Sequence, residues 1–246
     1  MNTGSNTIRV PGIGWIDGQA FGCVRRNERT VYGGQADVPA PWRRPDLLGG
    51  PVKNIGRFDA VSRLTCCACA LALRDAGLSV DECRKQAIGL VGANAEGSLA
   101  ANRAYFTDYL QAGRKLGRGN LFIYTLPTSP LAEAAIHFGL QACLLYVGYP
   151  ANGLTAVPPA HGAPADERTA LPAGLPELLH TAAELIADGQ AARILAVRAD
   201  GQEAMGFLLG PAEAADGGTQ PTVDDICACA AGPRGAAGLV LRLERV

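Results

Sequence analysis

The apolar positions of the chain switch between two periods, and the switches mark its elements. Phe58, Val61, Leu64, Cys67, Ala68, Leu71 and Ala72 recur at helical spacing, which predicts an amphipathic helix over residues 57–77, stopped by Gly77. Residues 87–93 (AIGLVGA) form a continuous apolar run of strand length, the pattern of a buried parallel strand. A glycine-bearing turn over 94–98 follows, then a helix over about 99–116. The next predicted helix, 127–139, has Pro127 or Pro130 in its first turn. Residues 143–148 (CLLYVG) are the most apolar strand candidate and read as a buried strand. A helix over 175–188 and strands over 194–199, 205–209 and 238–243 complete the series. At the front, residues 8–16 (IRVPGIGWI) read as a strand broken by glycines. Residues 17–56, rich in Gly, Pro and Arg without periodicity, predict a long surface excursion, and 150–174 and 212–234 also read as irregular. The order predicts an α/β fold: a mixed, mostly parallel five-stranded sheet with flanking helices and an added antiparallel edge.

Composition changes this picture little. With 246 residues the chain can build one substantial α/β domain or two small ones. A formal charge of -1 with 18% charged residues argues against a polybasic nucleic-acid binder. The N-terminal residues lack a basic segment followed by a long apolar run, so no secretory signal is expected and a cytoplasmic protein is. No Asp, Glu, Lys or Arg occurs from Ala134 to Ala165, but Gly148, Pro150, Asn152, Gly153, Pro158 and Pro159 break that stretch. It is not read as a membrane-spanning helix.

Eight cysteines raise the question of metal or disulfides. Cys66, Cys67 and Cys69 sit in the apolar pattern of a helix, where a thiol serves as a small core hydrophobe. Cys227 and Cys229 are separated by one residue, shorter than zinc-ligand spacing, so neither a metal nor a cofactor is expected. The pattern from Gly92 to Gly97 lacks the Lys-Ser/Thr of a phosphate loop.

Six segments in order carry a family resemblance: Gly12-Ile13-Gly14, the helix RFDAVSRLTCCACALALRDAGL, AIGLVGANAEGSL, TLPTSPLAEAAIHFGL, LLHTAAELIADGQAARILAVRADG and GAAGLVLRLE. Together they resemble the N-terminal half of the thiolase fold in β-ketoacyl synthases, the condensing enzymes of fatty-acid and polyketide assembly. The resemblance implies one ketosynthase-like domain over residues 1–246. The second half, which in the family supplies two histidines and much of the acyl pocket, would begin where this sequence stops at Val246. It is expected to be absent or supplied by another chain.

In the family, a buried strand leads to an elbow bearing a nucleophilic Cys, whose thiolate benefits from a helix N-terminus and backbone N–H groups. Counting forward from Gly139, that position falls near Pro150 or Ala151; counting back from the following helix, it falls near Leu171 and Pro172. No Cys or Ser stands at either place, and residues 150–174 read as an inserted loop between strand and helix. The nearest thiol, Cys143, lies at the beginning of the strand, where core packing is expected rather than catalysis. His137 reads as a packed or hydrogen-bonded residue, His161 as a loop residue and His180 as a core-edge residue. Arg114, Lys115 and Arg118 read as cations closing a helix, with docking of an acidic acyl carrier protein as the alternative.

The resemblance also implies that Cys143, Leu144, Leu145, Tyr146 and Val147 pair across a two-fold axis. The expected assembly is a homodimer, or a heterodimer with a ketosynthase, without nucleic acid or membrane. The leading reading is a non-catalytic, ketosynthase-like partner or scaffold. An acyl-transfer or condensing enzyme completed by a second chain is an alternative. Another is an acyl or small-ligand binding module using space between Asn94, Thr125 and the inserted loop.

Overall fold

Alternation along the central strands builds two cores at once. In β6 (Arg193–Asp200), Leu195, Val197 and Ala199 face one side of the sheet, while Ile194 and Ala196 face the other. The same parity holds in β4 (Ile88–Asn94), where Leu90 opposes Val91 and Ala93, and in β7 (Glu203–Pro211), where Leu208 opposes Phe207 and Leu209. The computed structural model describes residues 8–34, 37–115, 117–148 and 174–211.

The first core is covered by helix α2 (Ala60–Asp75) and helix α6 (Ser129–Phe138), the second by helix α7 (Leu175–Ala187). One-turn helices α1 (Pro45–Leu48), α3 (Val80–Cys83) and α5 (Gly119–Phe122) and the longer α4 (Leu99–Gln111) fill the connections. Strands β1 (Ile8–Ile16), β2 (Ala20–Cys23), β3 (Glu28–Val31) and β5 (Leu144–Gly148) complete a seven-stranded sheet in the order β3-β2-β1-β7-β6-β4-β5.

Helix α2 begins where the Asp59 carboxylate accepts the Ser62 N–H at 2.8 Å, an N-cap worth about 1 kcal/mol. It lies directly on the sheet because the strands beneath it carry glycine. A Cβ at Gly14 would stand 2.3 Å from Leu71 Cβ, and one at Gly206 would stand 2.6 Å from the Ala68 carbonyl oxygen. At the far end of the helix the buried Asp75 carboxylate accepts the N–H groups of Ile13, Arg25 and Arg26 at 2.8, 3.1 and 2.9 Å. One side chain thus ties the helix to β1 and to the turn after β2.

Four expectations are corrected. Among the described residues the sheet has seven strands rather than five, and it is not mostly parallel: four of their pairings are antiparallel, and two, β4–β5 and β4–β6, are parallel. The cause is a tight hairpin at Gly201 (φ 55°), which turns β7 back along β6 and inserts it between β6 and β1. Second, residues 17–56 are no mere surface excursion. They supply β2 and β3, and Phe21, Cys23, Leu47 and Leu48 enter the first core. Third, the helix expected over 99–116 ends at Gln111, because Gly113 (φ 69°) and Arg114 (φ 61°) leave the right-handed helical region. Fourth, β5, read as a buried strand, leaves Leu144 and Leu145 39% and 40% exposed, at the edge position that its expected pairing across a two-fold axis requires. Its apolar character had suggested burial, but among the described residues only β4 pairs with it. The strand expected over 238–243, the segment 212–234 and the loop 150–174, save Gly174, lie outside the described residues.

Candidate functional site

Parallel strands bring their C-terminal ends to one edge of a sheet, where open α/β folds place their sites. Here that edge gathers polar residues from three strands. Asn94 ends β4 and is 6% exposed. The Tyr146 hydroxyl of β5 donates to Asn94 Oδ1 and to the Asn94 carbonyl, at 3.2 and 3.3 Å. Asp200 ends β6, accepts the Ala95 N–H at 2.6 Å and pairs with Arg198 at 2.7 Å. Arg198 also reaches Glu203 at 3.3 Å. Burial, and after it the Asp200 charge, raise the Tyr146 hydroxyl above its ordinary pKa. The phenol therefore stays a proton donor at neutral pH.

The turn after β4 carries the cluster toward the next connection. Ser98 donates to the Thr125 carbonyl and receives the Asn102 amide at 3.0 Å. The Thr125 hydroxyl itself is committed to the Phe122 carbonyl at 2.7 Å. Thr125, expected to share a pocket with Asn94, is thus held through its carbonyl by Ser98, four residues after Asn94 in the chain. The chemistry of this edge is that of hydrogen bonding and orientation by an amide, a phenol and a carboxylate.

Cys143 stands elsewhere. It directly precedes the first residue of β5, its carbonyl accepts the Leu90 N–H at 2.8 Å, and a Cβ on Gly89 would meet its sulfur at 2.7 Å. The length of β5, roughly 3.3 Å per residue, separates it from the polar edge. Burial raises its thiol pKa, so it is held in the less reactive form. The other described thiols are buried as well: Cys23 and Cys67 are pushed up to about 12, Cys83 to about 11, and Cys66 and Cys69 are raised too, all chiefly by desolvation.

His137 Nε2 meets the Leu48 carbonyl at 2.8 Å, which fixes it against α1 rather than at the polar edge. His180 lies on an exposed position of α7. Among the described residues no group of His, Cys, Asp and Glu could hold a metal ion. Pro150, Ala151, Leu171, Pro172 and His161 lie outside the described residues.

Arg114, Lys115 and Arg118 do not close a helix as expected but follow the end of α4 in an exposed turn. Arg118 caps α5 and pairs with Asp108, so one of the three cations is already engaged within the chain. Of the strand expected to pair across a two-fold axis, Leu144 and Leu145 are exposed while Cys143, Tyr146 and Val147 are half-buried. Sequence reasoning missed Tyr146 and Asp200 as members of the polar edge. Asn94 and Asp200 each end an apolar strand, and that polar termination is the available signal.

No family model and no curated protein sequence matches the chain. Solved structures do. A ketosynthase in complex with its chain length factor from Xenorhabdus doucetiae superposes with a TM-score of 0.52 at 15% identity, over 85% of this chain and 80% of that one. The ishigamide ketosynthase/chain length factor gives 0.52 at 15% identity, over 88% of this chain and 64% of that one. A β-ketoacyl synthase from Burkholderia phymatum gives 0.50 at 15% identity, over 84% and 59%. The chain thus spans less than two thirds of the last two. Among its described residues no helix is long and apolar enough to cross a membrane. The order of its strands, the helices on both faces and these superpositions give the chain a ketosynthase-like fold.

Proposed function

We propose that the chain is a non-catalytic, ketosynthase-like partner in fatty-acid or polyketide-type biosynthesis, formed as one domain over residues 1–246 with a loop inserted at 150–174. The observation that carries this reading is the polar edge itself. In a ketosynthase-like fold, its described residues are Asn94, Tyr146 and Asp200, bonded within the cluster, while Cys143 sits at the opposite end of β5. The forward and backward counts to Pro150, Ala151, Leu171 and Pro172 support it from the sequence side, since none is a nucleophile.

The partner is a second copy of the chain or a ketosynthase, joined through residues 143–147. The exposed edge of β5 supports this, because an apolar strand with one free side is a template for another strand. Two of the similar structures, by their names, join a ketosynthase and a chain length factor. Arg114, Lys115 and Arg118 are the proposed contact for an acidic acyl carrier protein.

Incubation with acyl-CoA and acylated carrier protein, followed by intact-mass measurement, tests the reading. An unchanged mass is expected. A stable acyl adduct overturns it in favour of an acyl-transferring enzyme completed by a second chain, and loss of that adduct in Cys143→Ala would name the nucleophile. Light scattering at micromolar concentration should give a dimer, alone or with a ketosynthase. A monomer under both conditions removes the partner role.

A further inference from the structure

A concavity lies beside the segments that enter β4 and β5. It is a cavity of about 550 Å³ between α1, the C-terminal end of α2, α3 and the end of α6. That volume is typical of small-molecule sites. The cavity is therefore remote from the polar edge where β4 and β5 finish.

Gly49 lines the cavity, and Gly139 packs against Arg84, another of its lining residues. A Cβ on Gly49 would stand 2.4 Å from Val80 Cγ2, and one on Gly139 would stand 2.4 Å from Arg84 Cγ. Both have positive φ, 71° and 68°, so each also supplies the left-handed end of its helix. The apolar wall is formed by Leu47, Pro51, Leu78, Val80 and Phe138.

The rim is cationic. Arg26 and Arg74 share the Glu28 carboxylate at 3.8 and 2.9 Å, and Asp46, which also lines the cavity, is held by Arg44 at 2.6 Å, which leaves one positive charge in excess at the mouth. Arg84 holds Asp81, whose side chain is 83% exposed and well solvated, so that pair is weak. Apolar walls under guanidinium groups suit a ligand with a short hydrocarbon body and one carboxylate.

We propose that this cavity binds a small amphipathic carboxylate, its hydrocarbon against Leu78 and Val80 and its carboxylate among Arg26, Arg74 and Arg84. The site is independent of the polar edge, so the acylation experiment above does not bear on it. Titration of the full chain with octanoate, followed by calorimetry, tests it, with octanol and acetate as probes lacking the charge or the hydrocarbon. Octanoate should bind at least about tenfold more tightly than either. The double variant Arg26→Gln/Arg84→Gln should weaken octanoate by about tenfold. Leu78→Trp, which fills the space, should abolish binding while circular dichroism stays native. No binding at millimolar octanoate, equal binding of octanol, or affinity unchanged in both variants overturns the proposal. The last result would place the fatty anion elsewhere on the chain.

Discussion

Helices α2 and α4 are both rich in apolar side chains, yet they occupy opposite situations. In α2 twelve of sixteen residues are buried, whereas α4 buries none of its thirteen. The difference is one of size and of what lies beneath. Helix α2 lays its backbone at Ala68, Leu71 and Ala72 on strands carrying Gly14 and Gly206, so two backbones meet with almost nothing between them. Helix α4 presents Tyr105, Phe106, Tyr109 and Leu110 on a surface where Phe106 is 58% exposed. A helix whose backbone sits on a glycine-bearing sheet makes a core; one whose large rings meet, among the described residues, little more than the one-turn α5 makes a surface.

The sharpest way to break this comparison is to insert bulk under α2. Gly14→Val puts two methyl groups where even a Cβ would be 2.3 Å from Leu71, and no soluble folded protein is expected on expression. Normal yield and a native circular dichroism spectrum would show that the helix can move away from the sheet.

Alkaline pH attacks the same helix by another route. The thiols of Cys66, Cys67 and Cys69, with Cys23 and Cys83, have folded pKa values raised by burial, to about 12 for Cys67. A group whose folded pKa is raised gives stability that is complete below the unfolded pKa, about 8.5 for a thiol, and lost as pH rises toward the folded value. Each thiol that ionises only in the unfolded chain removes about 1.4 kcal/mol per pH unit. Denaturation midpoints should therefore be flat to about pH 8 and fall steeply above about pH 9. A flat profile to about pH 10 would mean that these thiols are not sealed.

Asp75→Ala leaves the Ile13, Arg25 and Arg26 amides without their acceptor, and a loss of about 3 kcal/mol in urea denaturation is expected. The smallest effect belongs to α4. Phe106→Ser should change stability by no more than about 0.5 kcal/mol, because the described residues leave 58% of Phe106 exposed. A loss comparable to that of Asp75→Ala would show that α4 is packed in solution.

Much of this fold was legible from short-range pattern. Residues 57–77 and 175–188 were readable because each buries a face at helical period, and 87–93 and 194–199 because a strand buried on both sides reads as a nearly continuous apolar run. Strands β2 and β3 were not, since four-residue strands containing Gly, Glu and Arg carry too little periodicity. The insertion of β7 beside β1 was equally hidden, because pairing depends on residues remote in sequence. The apolar run of β5 misled about burial for a related reason: hydrophobicity records what a strand can cover, not how many neighbours it has. The polar edge depends on the same long-range closure, with Asp200 reaching Ala95 across 105 positions.

The two borders of the sheet have consequences for growth. Strand β3 ends one side with four residues that include Glu28 and Arg29, and Glu28 is held by Arg74; strand β5 ends the other with exposed leucines. Charge and shortness guard a border against further strands. Joining two copies through β5 would use up the open border of each and leave only guarded ones outside. Such a sheet can be lengthened once and then no further, which favours a closed pair over a filament.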